Sequence, residues 1–112
     1  MAKSFDNREG WIWMNGAFIP WKDATSHVVS QGLHYASSVF EGERAYNGKI
    51  FKSKEHTDRL FKSAEIMGIE IPYSKDEIND ESIKMFSENG PIVHNKLKDF
   101  CSLYGSILCI HS

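Results

Sequence analysis

Apolar and β-prone residues come in short runs along the first half of the chain, with turn signals between them. Two such runs, Trp11–Met14 and Ala17–Trp21, flank the dipeptide Asn15-Gly16. Asn-Gly between β-prone runs is a strong hairpin signal, because both turn positions need a positive φ. The pattern therefore predicts an N-terminal β-hairpin, and His27–Val29 is predicted as a further short strand.

A second Asn-Gly, at Asn47-Gly48, separates a longer predicted strand over Ser38–Tyr46 from a return arm over Lys49–Lys52. Successive side chains of a strand point to opposite faces, so residues two apart share a face. One face of the longer strand therefore carries the following residues: Ser38, Phe40, Gly42, Arg44 and Tyr46.

After Lys52 the spacing of the apolar residues changes from the alternation of a strand to the three- or four-residue spacing of a helix. Leu60, Ala64 and Met67 form an apolar stripe at helical spacing, which predicts a helix over Lys54–Met67 with Ser53 as its N-cap. A second helix is predicted from the capping box Ser74-Lys75-Asp76-Glu77 to about Glu88. Its inward residues are expected to be Ile78, Met85 and Phe86.

Strands followed by helices are typical of an α+β fold, in which helices cover one face of an antiparallel sheet. The predicted architecture is accordingly an antiparallel sheet with two helices on one face. The 112 residues suffice for one domain with a modest core.

Composition and charge argue against nucleic-acid binding, a membrane span and a metal site. The net charge is −2 and the pI about 6.2, so no basic excess is available for nucleic acid. No apolar run approaches the roughly 20 residues of a membrane span, and the N-terminus lacks the apolar core of a signal peptide, which predicts a cytoplasmic protein without membrane contact. Cys101 and Cys109 have no metal-ligand spacing with each other or with the histidines, so no metal site is predicted.

The longer strand carries the first candidate site. Phe40, Gly42 and Arg44 combine an apolar wall, a gap and a cation, which suits a small anion such as a carboxylate. The alternative is a bulge or a twist at a sheet bend at Gly42, with an arginine that pairs with Glu41 or Glu43 or extends outward into solvent.

Two further residues are candidates. Arg59, on the first predicted helix, could hold a phosphate, or it could be an exposed arginine paired with Glu55 one turn before it. Tyr35 could place a hydroxyl near the same face of the strand, or it could be a half-buried aromatic residue.

Several strings, in their order and spacing, resemble the N-terminal domain of branched-chain amino acid aminotransferases, which are class IV aminotransferases that use pyridoxal phosphate. The F-E-G-x-R string is particularly specific to the branched-chain enzymes within this class. The resemblance covers about residues 11–78 and rests on these segments: Trp13-Met14-Asn15-Gly16, Trp21-Lys22-Asp23-Ala24, His34-Tyr35, Val39–Tyr46, Glu55–Leu60, Ser63-Ala64 and Ile71-Pro72-Tyr73.

The resemblance implies a fold, a cofactor and residue roles. The fold is the small N-terminal domain of the class IV aminotransferases, and the cofactor is pyridoxal phosphate, whose phosphate Arg59 binds. The resemblance also implies that the pocket for a branched-chain amino acid or its 2-oxo acid is lined by Tyr35, Phe40, Gly42 and Arg44. Family members are dimers, so a homodimer or a pairing with a second aminotransferase chain is also implied.

The resemblance fades after Ile78. The expected division is a class IV N-terminal domain over residues 1–99 and a divergent tail over 100–112. No lysine here lies in the context of the one that binds the cofactor covalently, so no catalytic residue is assigned and pyridoxal phosphate is not expected to be retained by this chain alone. The expectation is a truncated branched-chain aminotransferase that is inactive alone; the alternatives are half of a split enzyme and a non-catalytic module that pairs with an intact subunit.

Overall fold

The structure, a computed structural model, describes residues 9–89 and the backbone of residues 102–106. Strands come first and the two long helices follow, with one more strand after them. The elements are β1 Trp11–Met14, β2 Ala17–Pro20, α1 Gln31–Tyr35, β3 Glu41–Tyr46, β4 Lys49–Phe51, α2 Ser53–Met67, α3 Lys75–Asn89 and β5 Ser102–Ser106.

Both predicted hairpins are confirmed. β1 pairs antiparallel with β2 across Asn15 (φ 53°) and Gly16 (φ 85°). β3 pairs antiparallel with β4 across Asn47 (φ 50°) and Gly48 (φ 76°). Positive φ at both turn positions matches the right-handed twist of the flanking strands, which explains why Asn-Gly marks these turns.

The α+β class is confirmed, although the described strands form two small antiparallel sheets rather than one. One contains β1 and β2, and the other has the order β4-β3-β5. The strand predicted over His27–Val29 is wrong: this segment is a turn in which the backbone amide of Val29 donates to Nδ1 of His27. The longer strand begins at Glu41 instead of Ser38.

The two long helices agree with prediction within a residue or two. α3 starts with the predicted capping box, because the amide of Glu77 donates to Oγ of Ser74 and the amide of Ser74 donates to a carboxylate oxygen of Glu77. The predicted cap of α2 is wrong: Lys52, in the left-handed conformation, precedes the helix, and no side chain caps it.

The core lies between α2 and β3. Its buried cluster contains Val39, Leu60, Ala64 and Ile69, and Ile71 packs against it. The predicted stripe of α2 thus holds at two of three positions, because Met67 is about half exposed in the last turn. Ile78 and Met85 of α3 are buried and Phe86 is half-buried, as predicted.

Buried polar groups fix α2 against α3. The Thr57 hydroxyl donates to Oδ1 of Asn79 at 2.6 Å, and the Ser53 hydroxyl reaches the same oxygen at 3.4 Å. Both Thr57 and Asn79 are buried. Such a matched buried pair sets the register of the two helices, since a slip would leave these groups without partners.

The β1–β2 hairpin attaches to the helical layer. The rings of Trp13 and Tyr73 meet edge to face with centroids 5.0 Å apart. The hydroxyl of Tyr73 lies 3.2 Å from where a Cβ on Gly16 would stand. Gly16 is therefore required twice, for its positive φ and for this close approach.

Three elements of the described residues were not predicted: a 3-10 helix at Trp21–Asp23, α1 and β5. β5 pairs antiparallel with β3, residue for residue, from Glu41↔Ser106 to Ala45↔Ser102. The predicted boundary at residue 99, the helix interruption at Gly90-Pro91 and both cysteines lie outside the described residues.

Leu60 is 4% exposed at the centre of the core, so Leu60→Ala should lower the free energy of unfolding by about 2–5 kcal/mol through lost burial and the cavity left behind. Urea denaturation followed by far-UV circular dichroism measures this. The matched control is Ile66→Ala on the same helix, where the side chain is 74% exposed and the expected change is within about 0.5 kcal/mol. Equal losses in the two variants would contradict this core.

Candidate functional site

The two faces of β3 have opposite environments. Glu41, Glu43 and Ala45 are buried on the face toward α2, whereas Gly42 and the other alternate residues are exposed. The exposed residues of this face, continued one position before the strand, are Phe40, Gly42, Arg44 and Tyr46. The structure thus brings together three of the predicted pocket residues, Phe40, Gly42 and Arg44, on one open face.

Gly42 leaves an open space on this face of β3. Pairing of β3 with β5 runs one to one through Gly42↔Gly105, so there is no bulge at Gly42. Its φ is not positive, and a Cβ built on it meets no atom of the described residues within 4 Å. Neither the backbone conformation nor packing among the described residues requires glycine at this position, and the lack of a side chain leaves open space above the strand.

Phe40 and Arg44 flank this space. The Phe40 side chain is 75% exposed and presents an apolar surface beside Gly42. Arg44 is exposed on the face of β3 opposite to that of Glu41 and Glu43.

Arg59 lies on α2 and reaches the first residue of β3. Its Nε donates to Oε1 of Glu41 at 2.5 Å and its Nη2 donates to Oε2 at 2.7 Å. Nδ1 of His56 lies 2.7 Å from the same Oε2. The carboxylate that holds Arg59 is therefore Glu41 rather than the predicted Glu55.

This cluster, Glu41 with Arg59 and His56, joins a buried group to an exposed one. The Glu41 side chain is 9% exposed, whereas that of Arg59 is 67% exposed. The hydrogen bonds from Arg59 hold the pKa of Glu41 below its ordinary value, outweighing the opposite effect of burial, and Glu41 raises the pKa of Arg59. Both groups are thus charged at neutral pH.

Tyr35 stands apart from this arrangement among the described contacts. It ends α1, is 68% exposed, and meets the ring of His34 edge to face with centroids 4.7 Å apart. The half-buried aromatic residue proposed as its alternative is therefore wrong for this structure, and the pocket role of Tyr35 stays a prediction.

Glu43 is a buried carboxyl group that the sequence pattern suggested only as a partner for Arg44. It is 4% exposed, and its Oε2 has no hydrogen-bond partner among the described residues. Burial raises its pKa above the ordinary value, with His56 opposing and Glu41 adding to the shift. Its position on the inward parity of β3, next to Ala45, was the signal available in the sequence.

No helix among residues 9–89 is both long and apolar enough to cross a membrane. The same part of the chain contains no group of three or more His, Cys, Asp or Glu residues arranged to hold a metal ion.

Comparison with known protein families identifies the family of this chain. The sequence pattern of the family described as "Amino-transferase class IV" matches residues 38–100, more than half of the chain, and includes β3 and the Glu41–His56–Arg59 cluster. The chain belongs to the class IV aminotransferase family.

Within that family, the similar proteins are branched-chain enzymes. A "Probable branched-chain-amino-acid aminotransferase" of Rickettsia bellii is 55% identical over 78 residues, which are 70% of this chain and 27% of that protein. The branched-chain-amino-acid aminotransferase of Pseudomonas aeruginosa is 49% identical over 90 residues, 77% of this chain and 29% of its own. The chain thus spans a little over a quarter of the length of these relatives.

Solved structures of branched-chain amino acid aminotransferases are similar to this chain as well. The branched-chain amino acid aminotransferase of Escherichia coli superposes with a TM-score of 0.69 at 37% identity over 73% of this chain and 28% of that one. The enzyme of Thermobaculum terrenum, solved in its PLP-form, gives a TM-score of 0.63 at 29% identity over 72% and 28%. The matched part is the N-terminal domain of these enzymes.

The raised pKa of Glu43 gives a prediction about pH. Because the folded state holds this proton more tightly than the unfolded chain, stability falls as pH rises from the unfolded glutamate pKa through the higher folded value. Glu43→Gln, which removes the charge and keeps the shape, should therefore raise the free energy of unfolding at pH 7 by about 1 kcal/mol, the order of cost of one unmatched buried polar group. The gain should vanish at acid pH.

Urea titrations of both proteins at pH 4 and pH 7 measure this difference. Glu70→Gln is the control, since Glu70 is an exposed carboxylate outside the β3 face and should show no such pH-dependent gain. A Glu43→Gln variant that is less stable than the parent at pH 7 would show that the carboxylate is matched by a partner.

Proposed function

We propose that this chain forms the substrate-binding wall and the phosphate-binding wall of a branched-chain aminotransferase active site. The observation that carries the proposal is the open face of β3, where Phe40, Gly42 and Arg44 stand together while the other face is closed by α2. The amino group would pass between leucine, isoleucine or valine and 2-oxoglutarate.

The open face suits a branched-chain amino acid. Phe40 supplies an apolar surface for an aliphatic side chain, and the space at Gly42 lets that side chain approach the strand backbone. Arg44, two residues along the same face, supplies a guanidinium group of the kind that binds a carboxylate through paired hydrogen bonds. Tyr35 extends the apolar lining in this proposal.

Arg59 is proposed as the phosphate ligand of pyridoxal phosphate. Its guanidinium group is charged and two-thirds exposed, and Glu41 occupies only its Nε and one N–H of Nη2. The two N–H donors on Nη1, which make no bond to a described residue, suit the oxygens of a phosphate. The residues present thus fit the phosphate end of the cofactor.

When bound, pyridoxal phosphate supplies the electron sink that lets an amino group leave one carbon skeleton and enter another. The family resemblance implies that the lysine that attaches the cofactor covalently lies outside the matched segment. We therefore propose a second polypeptide segment as the necessary partner, which in a split enzyme would be a separate chain.

Complementation tests the function. The chain is co-expressed with the part of the P. aeruginosa relative that follows the matched segment, and the purified mixture is assayed for leucine-dependent conversion of 2-oxoglutarate to glutamate. We expect activity in the mixture and none with either piece alone. An inactive mixture in which the two pieces nevertheless co-purify would refute the proposed site.

Gly42→Val should separate folding from ligand binding. A Cβ meets open space there, and valine is a better strand former than glycine, so the free energy of unfolding should stay level or rise by up to about 1 kcal/mol. In the complemented enzyme, however, the valine would fill the substrate space, and kcat/KM for leucine should fall at least tenfold.

The graded variant Gly42→Ala should give an intermediate loss of kcat/KM. Lys49→Val on β4 is the control, because Lys49 is exposed on the neighbouring strand and is not part of the proposed pocket. Full activity in Gly42→Val would mean that no substrate occupies this space.

A further inference from the structure

Glu41 is a buried carboxylate whose described partners both come from α2. It accepts two hydrogen bonds from Arg59 and lies within hydrogen-bond distance of His56, and it is 9% exposed on its side chain. Removing either charge would leave the other group poorly matched, which is costly for a carboxylate out of water. Glu41 therefore has a fixed position and a fixed charge at the edge of the open face.

Arg59, in contrast, has a long side chain that is 67% exposed. An unrestrained arginine of this kind would sample many rotamers, and ordering it costs conformational entropy. Two parallel hydrogen bonds to one carboxylate hold the guanidinium plane in a single orientation. The edge formed by Nε and Nη2 is occupied by Glu41, and none of the bonds between Arg59 and described residues uses Nη1.

We propose that Glu41 is a positioning residue that orients the guanidinium group of Arg59, so that its Nη1 edge is presented to a phosphate before the phosphate arrives. This inference rests on the proposed role of Arg59 as the phosphate ligand. The entropy of ordering the arginine is lost when the chain folds rather than when the ligand binds.

Charge alone makes the opposite prediction. A carboxylate next to an anion site repels the anion, so its removal should strengthen phosphate binding if Glu41 merely neutralises Arg59. If Glu41 orients Arg59, its removal should weaken phosphate binding despite the gain in net positive charge. The sign of the change in affinity therefore decides between the two roles.

The first measurement needs no ligand. In the ¹⁵N-labelled chain, the Nε–H group of Arg59 should exchange slowly with water and give a distinct NMR signal, because it donates to a buried oxygen. Glu41→Gln should accelerate this exchange at least tenfold. The control is Glu55→Gln, which removes a carboxylate one turn before Arg59 on the same helix but no bond to it; the exchange should not change.

The second measurement is titration with inorganic phosphate, followed at the Arg59 signals in the parent chain and in the glutamate variants, and by calorimetry in Arg59→Lys. We expect the affinity to fall about fivefold or more in Glu41→Gln, to stay level or rise slightly in Glu55→Gln, and to fall in Arg59→Lys, where the charge remains but the planar fork is lost. If Glu41→Gln does not fold by circular dichroism, Glu41→Asp, which keeps the charge with a shorter reach, replaces it with the same expected direction.

The outcomes separate the two proposals. Unchanged or tighter phosphate binding in Glu41→Gln, together with weaker binding in Arg59→Lys, would overturn the positioning role and leave Arg59 as the phosphate ligand. Unchanged binding in Arg59→Lys would overturn both. Weaker binding in both variants, with rapid exchange at Arg59 in Glu41→Gln, supports the positioning role.

Discussion

The alternation of side chains along β3 is the constraint on which the rest of this structure depends. Because a strand sends successive residues to opposite faces, the same six residues must both close the core and leave a surface open. Burial of Glu41, Glu43 and Ala45 against α2 fixes the register of β3. That register in turn decides that Phe40, Gly42 and Arg44 face outward together, and a slip of one residue would exchange the two sets.

The buried face is unusually polar for the face of a strand that closes a core, since two of its three residues are glutamates. One of them, Glu41, is matched by Arg59 and His56, whereas Glu43 has an oxygen without a described partner. The matched glutamate links the inner face of β3 to the exposed end of an arginine on α2. The site is thus built from both faces of one strand, and the helix that covers the core also carries the proposed phosphate ligand.

Much of the fold, and part of the candidate site, could be predicted from the sequence because the signals were local. Asn-Gly forces positive φ, so both hairpins followed, and the capping box at Ser74 set the start of α3. The grouping of Phe40, Gly42 and Arg44 followed from strand parity alone. The partner of Arg59 could not be predicted in this way, because Glu41 is 18 residues away in sequence. Helical spacing favours Glu55, one turn before Arg59, whereas the observed contact is set by the packing of α2 on β3. α1 is a single exposed turn, and β5 forms through pairing with a distant strand, so neither has a strong local signal.

The attachment of the β1–β2 hairpin has a mechanical consequence. In the described residues its strands share no sheet with β3, whereas β1 contacts Tyr73 and α3. A force on the hairpin would be transmitted to α3, which the Thr57–Asn79 hydrogen bond joins to α2. Displacement of the hairpin by a neighbouring segment would therefore break no backbone hydrogen bond of the β4-β3-β5 sheet, which carries Gly42 and Arg44.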